Sequence, residues 1–207
     1  MGKSLWIGVW ALLILSTVAC SVSRTRMVQA HVEASRVGTP IKNVLIIAVI
    51  DNRQIRTIFE KHVQEWFNAY GVEAVTSSVV LPIDANTKLE KAAIIEVVDR
   101  FAADTVVITR PVGFAESEVF SRDRPRFYYN YYGFYNYAWG YVTWPTIYGE
   151  EIEFNLETRL YDVKTESLIW AGETQTTNPK TTGEAIGQVV EAVMKELQKN
   201  GLLPKRS

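Results

Sequence analysis

The chain is poor in the residues on which most enzymes and metal proteins rely. It holds one cysteine, Cys20, and two histidines, His31 and His62. A lone cysteine cannot close an internal disulfide, and two histidines so far apart have no metal-ligand spacing. His31 reads as a solvated residue and His62 as a boundary residue beside a helical apolar stripe, so no metal site is assigned. The sequence has no GxSxG, no HExxH and no glycine-rich phosphate loop, and no cofactor is expected. A surplus of one charge is also missing. With 22 basic and 23 acidic residues the net charge is -1, which leaves no basic field for nucleic acid. Nor does any apolar run reach the roughly 20 residues of a membrane span.

What is present begins at the amino terminus. Met1 and Lys3 give a small positive start, residues 5–15 (LWIGVWALLIL) carry no polar side chain, and Ser16, Thr17, Val18 and Ala19 lead into Cys20. Charge, apolar run and small residues in that order are the layout of a secretory signal peptide covering 1–19. Small residues just before a lone cysteine resemble the lipobox of bacterial lipoproteins. The resemblance implies cleavage before Cys20 and several acyl chains on its sulfur, an anchor that hardly dissociates. Ser21, where an Asp would direct retention at the inner membrane, implies the periplasmic face of the outer membrane.

Residues 20–40 are polar and rich in small side chains, with no sustained period, and read as a tether reaching at most about 65 Å. A single α/β domain follows over 41–203. Residues 44–50 (VLIIAVI) are apolar on both parities, as in a strand covered on both faces. Ile55, Ile58, Phe59, Val63, Trp66, Phe67 and Tyr70 then recur at helical spacing, with Asp51 or Asn52 as cap and Gly71 as stop. Residues 72–76 form a second strand, extendable through 79–82. Thr87 and Glu90 have the spacing of a capping box opening a second helix, and residues 104–109 form a third strand. Alternating strands and helices of these lengths require parallel pairing. Residues 151–160 alternate strictly, with Phe154, Leu156 and Leu160 on one parity and Glu153, Asn155, Glu157 and Arg159 on the other. That is a strand with one wet face. Residues 168–176 return as its hairpin partner, and Thr181 with Glu184 opens a last helix. The expected architecture is a mixed five-stranded sheet of three parallel strands, an antiparallel hairpin, crossover helices and a C-terminal helix.

Between the third and fourth strands lies an insertion, 114–149. Half of the chain's six tryptophans, ten tyrosines and eight phenylalanines fall in residues 127–148, which carry no charge. If extended, its odd positions make one face nearly all rings. Tyr and Trp combine large contact area with a polar tip, which suits partner surfaces, sugar stacking and the lipid boundary. The candidate binding residues are Arg122, Arg124, Arg126, Tyr128, Tyr131, Tyr135, Trp139 and Trp144, with an envelope protein or glycan as partner. The same segment can equally fold back over the domain's own open sheet. A small-molecule or enzymatic site is the alternative, at Asp51, Asn52 and Arg53, where parallel sheets bind ligands; helix capping already explains Asp51 or Asn52. Glu151 and Glu153 share a strand face and read as solvated charges before paired catalytic carboxylates. A subunit of an oligomeric envelope assembly is the third reading.

The run Leu156-Glu157-Thr158-Arg159-Leu160-Tyr161-Asp162, followed by Thr165 and by Leu168-Ile169-Trp170-Ala171-Gly172, resembles uncharacterised Gram-negative lipoproteins with a Tyr/Gly-rich loop before such a hairpin. More distantly it is similar to the TolB amino-terminal-like fold shared by the curli secretion channel lipoprotein and the lipoprotein activators of penicillin-binding proteins. The resemblance spans 42–200 and implies an envelope binding or assembly role without catalysis. The aromatic segment lacks two amphipathic strands of about ten residues, and so departs from a curli-type pore.

Overall fold

The structure is a computed structural model describing residues 23–81, 88–112, 130–141 and 152–205. Six strands form one mixed sheet: β1 (Arg24–Val32), β2 (Asn43–Ala48), β3 (Glu73–Thr76), β4 (Thr105–Val112), β5 (Glu153–Asp162) and β6 (Leu168–Thr177). Their spatial order is β1-β6-β5-β4-β2-β3. β2 pairs in parallel with β3 and β4, and the pairs β4–β5, β5–β6 and β1–β6 are antiparallel. Among the described residues five α-helices accompany them: α1 (Arg53–Ala69), the single turn α2 (Ser77–Val80), α3 (Lys91–Arg100), α4 (Tyr131–Ala138) and α5 (Thr182–Lys199). None of the described helices is long and apolar enough to cross a membrane.

The two faces of the sheet are covered differently. On one, Phe59, Val63 and Phe67 of α1 and Ile186, Val189, Val190 and Leu197 of α5 close over Val44, Ile46, Val107, Leu156 and Leu160. Each such side chain contributes about 1.5–3 kcal/mol on leaving water. On the other, Ile94 and Val97 of α3 and Tyr131, Phe134 and Tyr135 of α4 close over Leu45, Ile47, Val106, Ile108 and Tyr161. Asn52 caps α1 by accepting from the Ile55 amide, and Gly71 takes the positive φ of 74° that ends the helix. Thr181 caps α5 by accepting from the Glu184 amide at 3.1 Å. In β6 the Trp170 indole folds over Gly172, where an added Cβ would collide with the ring.

Several expectations need correction. Much of the segment read as a tether is β1, paired with β6 from Arg24↔Thr177 to Val32↔Trp170, so the sheet has six strands and the domain begins before residue 41. β1 places only Met27 and Val32 against the apolar core, because an edge strand is held mainly by its backbone ladder. Residues 79–80 do not extend β3; they belong to α2, which Glu60 ties down as described below. α3 opens at Lys91 with Glu90 as its cap residue and no side-chain cap, and Thr87 lies outside the described residues. β4 runs on past Thr109 through Arg110 and Pro111. Proline is tolerated there because pairing to β2 has ended at Ala48↔Thr109, so only β5 continues the ladder.

Candidate functional site

The aromatic insertion is not an extended ribbon where it is described. Asn130 accepts from the Gly133 amide at 2.7 Å and starts α4, whose spacing turns Tyr131, Phe134, Tyr135 and Ala138 to one side. That side lies on the sheet face carrying the polar parity of β5, which is therefore not wet at Glu157 and Arg159. Arg110 and Glu157, directly opposed across β4 and β5, are both 0 % exposed, and Arg159 is 4 % exposed.

Two cations share one carboxylate beneath the rings. Arg110 Nε donates to Glu157 Oε2 at 2.8 Å, and Arg159 Nε donates to Glu157 Oε1 at 2.7 Å. Arg110 Nη1 also reaches the Pro111 carbonyl at 3.2 Å, and Nη2 reaches the Tyr137 hydroxyl at 3.3 Å. The guanidinium carbon of Arg159 sits 4.6 Å from the Phe134 ring centroid, and that of Arg110 4.6 Å from Tyr137. Flat cations over ring faces are a favourable arrangement, more so when desolvated. Burial disfavours the Arg159 charge, but Glu157 and Tyr161 together outweigh it and raise the guanidinium pKa. Next to this group, Asn155 Nδ2 donates to Glu173 at 2.6 Å on the neighbouring strand.

Tyr131 and Tyr135, offered by the sequence as binding residues, are 3 % and 2 % exposed. They are core, not surface, a correction the helical spacing explains. The Tyr135 hydroxyl accepts from the Leu89 amide at 2.7 Å, and burial pushes its pKa up to about 12. Tyr132, Tyr137 and Trp139 are half-buried. Tyr132 stacks on Tyr135, with ring centroids 6.3 Å apart. Arg122, Arg124, Arg126, Tyr128, Trp144 and Cys20 lie outside the described residues.

At the carboxyl end of β2, Asn52 serves as a cap, Asp51 is half-buried and Arg53 is exposed. A nearby carboxylate escaped the sequence reading. Glu60 is fully buried. Its Oε1 accepts from the Ala48 amide at 2.9 Å and from Ser77 Oγ at 2.6 Å, and its Oε2 from the Ser78 amide at 2.8 Å. Burial raises its pKa while these donors oppose the rise. The signal was its phase, since Glu60 shares the apolar stripe of Phe59, Val63 and Phe67. His31 meets Glu33 at 3.1 Å, and His62 Nδ1 lies 3.0 Å from the Ile58 carbonyl. Glu153 is exposed and accepts from Gln175; Glu151 is outside the described residues.

No protein-family model matches the sequence, and no curated protein matches it. Among solved structures, the chain is similar to PelC from Paraburkholderia phytofirmans, a dodecamer, at 12% identity and a TM-score of 0.44, covering 89% of this chain and 100% of that one. It is also similar to the lipoprotein GNA1162 from Neisseria meningitidis, at 14% identity and a TM-score of 0.40, covering 76% and 99%.

Proposed function

We propose that the chain is a lipid-anchored protein of the bacterial envelope, held by Cys20 at the periplasmic face of the outer membrane, and that its α/β domain binds a partner without catalysing a reaction. The observation that carries this reading is the leader, with its positive start, apolar residues 5–15 and small residues before the only cysteine. The charged groups buried under α4 favour binding over chemistry, because Glu157 spends both oxygens on Arg110 and Arg159. The partner surface is the outer side of the aromatic insertion, where Tyr132 and Trp139 keep part of their rings in water, with an envelope protein or glycan as occupant.

Two measurements test it. Mass spectrometry of the product from cells should give a mature terminus at Cys20 bearing diacylglycerol and an amide-linked acyl chain; an intact leader or an unmodified thiol would overturn the anchor. Photocrosslinkers placed at Trp139 and Tyr132 should capture a discrete envelope partner that a probe at the opposite-face residue Lys195 does not. Identical products from all three positions would remove the aromatic surface from the reading.

A further inference from the structure

We propose that the end of the sheet where β1 and β5 begin and β6 ends is held against phospholipid headgroups, so that the domain docks on the bilayer surface. This rests on the reading that Cys20 carries the lipid. Only two residues separate Cys20 from Ser23, and three peptide units reach at most about 11 Å. Ser23 is no loose end. The Gln188 amide of α5 donates to Ser23 Oγ at 3.1 Å, and Thr25 Oγ1 donates to Gln188 Oε1 at 3.1 Å. From Arg24 onward the backbone is paired to β6. An acylated Cys20 therefore pulls on the sheet itself and not on a long leash.

The register identifies what is pulled. Arg24 pairs with Thr177, and Thr177 with Glu153, so one row across three strands lies next to the anchor. Lys180 follows Thr177 closely and is exposed, as are Arg24 and Arg26. Three cations at this end suit the phosphates of a bilayer surface. Among the described residues two carboxylates lie beside them and keep their charge, Glu153 accepting from Gln175 at 2.7 Å and Glu184 from the Lys180 amide at 2.8 Å, so the cations outnumber them by one, and Arg26 is held to Gln175 Oε1 at 2.6 Å. The other end of the same strands is the turn after Asp162, carrying Lys164. At about 3.3 Å per residue along β5 it lies about 30 Å away.

The test uses the full-length acylated protein in vesicles of phosphatidylethanolamine and phosphatidylglycerol. With the Cys20 sulfur alkylated, Lys180→Cys and Lys164→Cys each offer one thiol for a fluorophore, quenched by a lipid carrying a nitroxide at its headgroup. Quenching several-fold stronger at 180 than at 164 is expected. A flexible Gly/Ser insert of about 20 residues between Val22 and Ser23, with an r.m.s. reach of about 25 Å, should erase that difference. Equal strong quenching would mean the domain lies on its side, and equal weak quenching that it stands off; either overturns the proposal while the anchor survives. Failure of the protein to float with vesicles overturns the anchor and this proposal together.

Discussion

The two faces of this sheet solve the same burial problem with opposite materials. Under α1 and α5 the covering is aliphatic and phenylalanine-rich, and what it covers is apolar apart from the hydrogen-bonded pair Thr109 and Thr158. Under α4 it is tyrosine-rich, and part of what it covers is the ion group Arg110, Glu157 and Arg159. The first face gains from area removed from water. The second carries a desolvation cost of several kcal/mol per ion, offset only by pairing and by the rings. Such a group adds little net stability, but it allows few registers, since a slip of one residue would send Glu157 to the apolar face. The lesson is that a charged strand parity is not by itself a wet face.

The largest effect should come from leaving the cations without their shared carboxylate. Glu157→Gln is expected to destabilise the domain by about 4 kcal/mol, measured by urea unfolding, whereas a solvent-facing glutamate would lose well under 1. Next comes a pair of ring deletions, one per face. Phe67→Ala and Phe134→Ala, both at fully buried positions, should each cost about 3 kcal/mol. If Phe134→Ala cost only a few tenths, α4 would be an appended loop and the comparison of faces would fail.

The apolar face was legible in the sequence almost throughout. Asn52, Gly71 and Thr181 bound α1 and α5 as local rules dictate, and the stripes from Phe59 to Phe67 and from Ile186 to Leu197 do face the core. The other face was not, because its burial is non-local. Nothing in the alternation of residues 153–159 says that residues 131–138 will lie over them, and tyrosines at odd positions look the same as a ribbon or as a helix until partners are known. β1 failed for a related reason, since its order comes from β6 and not from its own apolar content. Of the proposed binding residues the structure brings Tyr131, Tyr135 and Trp139 together on one helix and its following turn, and it removes the first two from the surface.

Alkaline pH should separate the faces by a smaller amount. Tyr135 belongs to the tyrosine-rich side, and its pKa of about 12 compares with an ordinary 10.0. The folded state keeps the proton more tightly than the unfolded one. Its contribution is thus fully present below pH 10 and is lost as pH rises from 10 to 12, on the order of 2 kcal/mol in all. Wild type minus Tyr135→Phe in unfolding free energy, followed over that interval, should show the loss; curves that stay parallel would place the hydroxyl in water.

The smallest contrast concerns how the helices of each face begin. α5, on the apolar face, starts with the Thr181 side chain accepting from the Glu184 amide, so Thr181→Ala should cost about 1 kcal/mol. α3, on the other face, starts at Glu90 with no side-chain cap, so Glu90→Ala removes no comparable bond and should change stability by only a few tenths. The carboxylate of Glu90 near the positive end of the helix gives a small stabilisation of its own, screened by salt. The residual loss on Glu90→Ala should therefore vanish in high salt, while that of Thr181→Ala persists, because a neutral hydroxyl bonded to an amide is not screened. Equal losses with equal salt dependence would show that the two helices start by the same means.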